Sequence, residues 1–257
     1  MDADASRSID RLSPTIRPDR RVVMRQNWRL LSFLHWEVPP DRLRALLPTG
    51  LELDLFEGRA YVGLVPFTMT GVRPVGLPAW RPLSDFHETN VRIYVHHEGR
   101  DPGVWFFSLD AANPIAVALA RAWFHLPYYH ASMSVTREPT DPPTEPGVIS
   151  YESERRKTFP IRANCAVRVR PMGPVAPARP GTLDHFLVER YILYASNRGR
   201  LYQGRVHHPP YPLQAGEVLA LDESLLAAAG LSRPEEKPLV HFASGVDVEV
   251  FGLQRLL

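Results

Sequence analysis

Alternation of apolar and polar positions dominates this chain. In residues 86–97, Val91, Ile93 and Val95 fall on one side, and Glu88, Asn90, Arg92 and Tyr94 on the other. That is the two-residue period of a strand with two chemically different faces. After a turn at 98–103, the aromatic run 104–109 reads as its hairpin partner. Residues 128–137 alternate again, with Tyr128, His130, Ser132 and Ser134 opposite Tyr129, Ala131, Met133 and Val135. Residues 27–38, 148–155 and 159–170 are further strands, the last with Ile161, Ala163, Cys165, Val167 and Val169 on its apolar face. Residues 51–56 and 59–70 flank Glu57-Gly58 as a hairpin, and 200–208, 212–221 and a pair within 239–253 complete the set.

The helical period is rare. Asn113-Pro114 is a start signal, an N-cap followed by proline at the first helical position, and the alanine-rich run to Phe124 continues it until Pro127 forbids more. Residues 40–47, 183–191 (capped by Thr182) and 222–229 read as short helices. Proline- and glycine-rich loops are expected at 71–82, 138–147 and 171–181. The predicted fold class is α+β, predominantly antiparallel β: a sandwich, or a closed or nearly closed barrel with a few short helices. In a barrel wide enough to hold a ligand, the mixed polar faces line the lumen. Residues 1–20 are polar and proline-containing and are expected to be a disordered tail, with 21–257 forming a single domain.

Composition narrows the class. Hydrophobic residues are 44% of 257, enough for a sizeable core. Thirty basic residues against twenty-eight acidic give a net charge of +2, which argues against nucleic-acid and anionic-membrane partners. There is one cysteine and no stretch of 18 apolar residues, so a cytoplasmic protein without disulfides or membrane spans is expected. Only Lys157 and Lys237 are lysines.

Recognised catalytic motifs are missing. There is no Gly-x-Ser-x-Gly elbow, no GxGxxG or Walker loop, and no HExxH, so no metal or cofactor is expected. Cys165 sits mid-strand on an apolar face and reads as an inert core thiol. His207 and His208 are adjacent on a strand and point to opposite faces. What remains is a set of residues each with two readings. Glu88, with Asn90 and Arg92, is either a solvated strand face bearing an ion pair or a carboxylate kept charged by an arginine and orienting a substrate. Arg121 either complements the C-terminal end of its helix or points into a pocket. Tyr128 and His130 are either packed wall residues or a proton-transfer pair.

The motifs NWRLLSFLHWEVPPDRLRALLPTGLELDLFEGRAYVGLVPF, SDFHETNVRIYV, GVWFFSLDA, ARAWFHLPYYHA, ERYILYA and VHHPPYPL come in an order that resembles the uncharacterised YqjF-like bacterial family. More distantly, PPDRLRALLP, a Glu after an aromatic, and Arg121 six residues before Pro127 resemble acetoacetate decarboxylase. That resemblance implies a cone-like closed barrel around an active site. It also implies an active-site glutamate at Glu88, a substrate-side arginine at Arg29 and self-association. It departs at the reaction centre: Tyr128 and Tyr129 stand where the family has its lysine pair, and a second family glutamate aligns near Gly63. A phenol cannot form an imine, so Schiff-base decarboxylation is excluded on these positions. The expected function is therefore a barrel that binds a small molecule. Either it acts on an oxo-acid or carbonyl compound without a Schiff base, or it binds or senses a ligand without turnover. In the first case Glu88, Arg121, Tyr128 and His130 carry the chemistry, with Arg29, Asn90, Arg92 and Tyr129 on the substrate. A third reading, a subunit-interaction module, predicts a lumen filled by aromatic side chains.

Overall fold

The computed structural model describes residues 9–139, 147–156 and 161–256. The strands are β1 (Val22–Val38), β2 (Glu52–Leu53), β3 (Ala60–Pro74), β4 (Phe86–His97), β5 (Arg100–Ala111), β6 (Tyr128–Arg137), β7 (Ile149–Arg155), β8 (Asn164–Ala176), β9 (Ile192–Asn197), β10 (Arg200–His207), β11 (Leu213–Glu223), β12 (Leu239–Phe251) and β13 (Gln254–Arg255). The helices are α1 (Pro40–Arg44), α2 (Arg81–Ser84), α3 (Pro114–Phe124), α4 (Leu183–Val188) and α5 (Leu225–Ala228). The fold class is the predicted one, predominantly antiparallel β with a few short helices.

All strands belong to one sheet, and the sheet closes on itself twice. β12, β1, β3, β4 and β5 are antiparallel neighbours along their lengths. The two outer strands of this group then divide their free edges. The end of β5 pairs in parallel with β6 through Leu109–Ala111, whereas Val104 and Trp105 pair with β9. β12 pairs with β11 through Ala243–His241 and with β10 through Val250 and Glu249. One ring therefore runs through β6, β7, β8 and β11, and the other through β9 and β10. Closure leaves the shared strands without a free edge.

Alternation sends the two faces of the shared strands into different surroundings. Val91, Ile93 and Val95 of β4 join Val62 and Leu64 of β3 and Ile149, Tyr151, Cys165, Val167 and Val169 of β7 and β8 in one buried cluster. Tyr94 of β4 joins Tyr61, Val65, Phe67 and Met69 of β3 and Val206 and Tyr211 in the other. β1 would fail to serve both clusters as a plain strand. Leu30 takes a left-handed conformation (φ 53°), which lets Trp28 and Leu31 line the same side and shifts the register against β3 between Arg29 and Leu34. Opposite the kink stands Gly245, where a Cβ would collide with the Trp28 carbonyl oxygen.

Several boundaries differ from expectation. β3 runs to Pro74 and β8 to Ala176, so the first part of each proline-rich loop is strand. Residues 56–59 do form a tight turn, Phe56 and Arg59 exchanging backbone hydrogen bonds of 3.0 Å, but β2 pairs with β4 instead of β3. The expected helix 222–229 shrinks to α5, and β12 is one long strand where a pair was expected. Residues 159 and 160 of the expected strand 159–170 lie outside the described residues. Residues 9–20 are not a free tail: Pro14 is buried and Arg11 forms an ion pair with the buried carboxylate of Asp54. Residues 1–8 of that expectation lie outside the described residues. No helix among the described residues is long and apolar enough to cross a membrane.

Candidate functional site

The second ring is not filled. A cavity of about 280 Å³ lies between the polar face of β4 and α3, with Trp28, Phe33, Phe67, Leu109 and Tyr211 among its walls. Glu88, Asn90, Arg92 and Tyr128 line it. The helix owes its position to the sequence signals. Asn113 Oδ1 accepts from the amides of Ile115 (3.0 Å) and Ala116 (3.1 Å), and His125 ends the helix in a left-handed conformation. The Pro127 carbonyl then accepts from the Leu109 amide, which joins β6 to β5 and sets Tyr128 opposite Leu109.

Glu88 is the one carboxyl among the described residues lining this space. It is buried (1% exposed), and Tyr128 Oη donates to its Oε2 at 2.8 Å. Desolvation pushes its carboxyl up to about 8, against smaller opposing effects of hydrogen bonds from Tyr128 and Asn90. Burial and the neighbouring Glu88 push the Tyr128 phenol well above its ordinary range, so it stays a hydroxyl. The expectation that Arg92 keeps Glu88 charged is corrected: the two sit four residues apart on one face, about 13 Å of strand, too far to pair. Asn90 Oδ1 and Arg92 Nε are both buried without a hydrogen-bond partner.

The other sequence candidates lie elsewhere. Arg29 faces outward because Trp28 faces in; it donates to the Val246 carbonyl at 2.8 Å and pairs with Asp247. Arg121 is exposed on an outer groove with Trp105, Phe107 and His125. Ala116, Ala120 and Phe124 occupy the cavity face of α3, and Arg121 is turned about 100° from Ala120. Tyr129 points to the opposite side of β6 from Tyr128, its ring 3.9 Å from the Arg155 guanidinium carbon. His130 pairs with Ala111 at the end of β5 and is not among the cavity's described lining residues, because the wall ends there. Lys237 is exposed at an outer cleft, and Lys157 lies outside the described residues. Gly63, aligned with the family's second glutamate, has no room for one: a Cβ there would sit 3.0 Å from the His35 ring, whose Nε2 is 2.6 Å from Tyr94 Oη.

Two features were not anticipated from sequence. Asp110 and Arg155 form a fully buried bidentate pair (2.7 and 2.8 Å) on the filled side of the sheet. An acid enclosed by Leu109 and Ala111 in an aromatic strand was the available signal. Trp28, Phe33 and Tyr211 form cavity walls, and only the kink at Leu30 brings the first two to one side. Among the described residues, no group of three or more His, Cys, Asp or Glu gathers as metal ligands. Cys165 is buried, and burial pushes its thiol up.

This doubly closed sheet is the fold of acetoacetate decarboxylase-like enzymes. It superposes on the enduracididine biosynthesis enzyme MppR complexed with pyruvate with a TM-score of 0.62 at 14% identity, covering 95% of this chain and 93% of that one. Acetoacetate decarboxylase from Legionella pneumophila matches with a TM-score of 0.61 at 14% identity over 95% and 94% of the two chains. Within that fold, the chain belongs to the DUF2071 family of uncharacterized conserved proteins, which matches residues 25–247. It is 37% identical to the uncharacterized protein YqjF of Bacillus subtilis (strain 168) over 238 residues, 93% of this chain and 94% of that protein.

Proposed function

We propose that the cavity binds a small carbonyl compound and that Glu88 and Tyr128 move protons on it without a covalent amine intermediate. One observation carries this reading: a carboxyl held at about 8 inside an apolar cavity, in direct hydrogen bond to a phenol. Near neutral pH such a carboxyl both gives and takes a proton, as a general acid or base requires. When Glu88 is protonated and donates to Tyr128 Oη, the phenol proton is released to donate to a carbonyl oxygen as negative charge develops on it. Among the described residues no lysine lines the cavity, and Tyr128 follows Pro127 directly, so imine chemistry has no nucleophile here. The likeness to a pyruvate-bound enzyme of the same fold makes small oxo-acids the first compounds to try.

The test is a panel of oxo-acids, ketones and lactones offered to the wild type, Tyr128→Phe and Glu88→Gln. Turnover by the wild type, lost in Glu88→Gln and at least about tenfold slower in Tyr128→Phe, is expected for an acid–base pair. A wild type that binds members of the panel and converts none overturns it in favour of a ligand-binding protein. The buried, unpartnered Asn90 and Arg92 atoms would equally serve that second reading.

A further inference from the structure

We infer that Arg92 is the carboxylate seat of the cavity, and that the ligand is an amphipathic monocarboxylic acid bound head-inward, its apolar chain passing Glu88 toward a mouth under α3. This rests on the reading of the cavity as a small-molecule site and names the ligand class.

Arg92 is more than nine-tenths buried and lines the cavity. Its guanidinium donates to the Leu187 carbonyl at 3.0 Å and lies over the rings of Phe33 (5.5 Å) and Tyr94 (5.7 Å), while Nε has no partner. No carboxylate among the described residues forms an ion pair with it. The nearby acids are committed elsewhere. Asp54 serves both Arg190 (2.6 Å) and Arg11. Glu189 accepts from Tyr191 Oη at 2.6 Å and from the Tyr211 amide at 2.9 Å. The histidines around it bring no negative charge: burial lowers His35 well below its ordinary range and His208 to about 4, so both stay neutral. Glu88, the other acid in the cavity, is kept protonated by burial at neutral pH and does not repel an entering anion. A buried cation without a counterion costs several kcal/mol, and a bidentate carboxylate from a ligand would relieve that cost.

The mouth supplies the second half. Ile115, Leu119 and Trp123, one turn apart on α3, line the cavity yet are 50%, 43% and 61% exposed. Met24, Val72 and Leu83, each partly exposed, line the same cavity. Exposed apolar residues concentrated at the entrance of an apolar cavity fit a chain that extends beyond it. Among the described lining residues, Arg92 is the one cation available to the charged end of such a ligand, four residues along β4 from Glu88.

The experiment measures binding of octanoate, methyl octanoate and butanoate to the full-length chain by calorimetry. Wild type is expected to bind octanoate at least about tenfold more tightly than its methyl ester, the value of one charge-assisted contact. Arg92→Gln and Arg92→Met are both expected to abolish that preference. Leu119→Ser is expected to weaken octanoate and leave butanoate unchanged. Equal affinity of the wild type for acid and ester, binding of neither, or a preference that survives in a folded Arg92 variant overturns the inference. Turnover of a carbonyl compound without any preference for the acid would remove this inference and leave the acid–base reading. Acid preference without turnover would do the reverse.

Discussion

The two faces of β4 belong to one strand and differ by a single residue step, yet they meet opposite fates. On the side of Val91, Ile93 and Val95 the space is filled, and the buried charges there come as a pair, Asp110 with Arg155 in bidentate contact. On the side of Glu88, Asn90 and Arg92 a cavity remains, and its described polar lining holds no ion pair: a carboxyl pushed up to about 8 and bonded to Tyr128, an amide oxygen and a guanidinium nitrogen without partners. The Asp110–Arg155 pair shows how this chain neutralises a buried charge from within. Among the described residues no such ion pair neutralises the cavity-facing Arg92.

The comparison breaks most sharply at the two buried arginines. Arg155→Leu should lower stability by about 3–5 kcal/mol, because it strands the Asp110 carboxylate in the core. Arg92→Met should cost less than about 1 kcal/mol or stabilise the protein, since no acid loses its partner. Urea titrations of both variants check this, and equal losses would erase the distinction between the two sides.

Glu88→Gln sharpens it through pH. The carboxyl is held at about 8 in the folded chain against 4.5 for the ordinary group. Between those values the folded state keeps a proton that the unfolded state has released. Stability from this group is therefore fully present below pH about 4.5, falls as pH rises, and levels off above about 8. The Gln variant lacks that decline and should exceed the wild type by about 3 kcal/mol at pH 7 relative to pH 4.5. Thermal melts across pH 4–9 measure it. Glutamine also keeps the volume, so a stability gain joined to lost turnover would identify Glu88 as a group retained for function at the expense of the fold.

Smaller effects follow. Tyr128→Phe removes one buried hydrogen bond, about 1 kcal/mol, and also a contact that lowers the Glu88 carboxyl. The carboxyl should therefore titrate higher in the variant, which carbon NMR of labelled glutamate can follow. Leu119→Ser at the mouth should leave stability within about 0.5 kcal/mol, whereas a serine at Val91 on the filled side should not.

Much of this was legible in the residues. The alternation in β4 announced its two faces, and Asn113-Pro114 and Pro127 bracketed α3, because caps, prolines and periodicity act over a few residues. Within the site, Glu88, Asn90, Arg92 and Tyr128 do share the cavity. Arg29, Arg121, Tyr129 and His130 do not, for reasons no local pattern carries. The Leu30 kink decides what β1 turns inward, the rotation of α3 decides that Ala120 and not Arg121 faces the space, and the end of β5 decides where the wall stops.

The sequence by itself therefore determined a strand-rich chain with two-faced strands, a capped helix, and tyrosines at the two positions after Pro127. These depend on residue identity and near-neighbour spacing. Only the tertiary structure decided which face would be filled and which left hollow. It likewise decided that Glu88 would be neutral and distant from Arg92, and that Arg155 rather than Arg92 would find an acid. Those outcomes depend on ring closure, which brings strands remote in sequence against opposite faces of the same sheet, and on the exclusion of water that closure enforces.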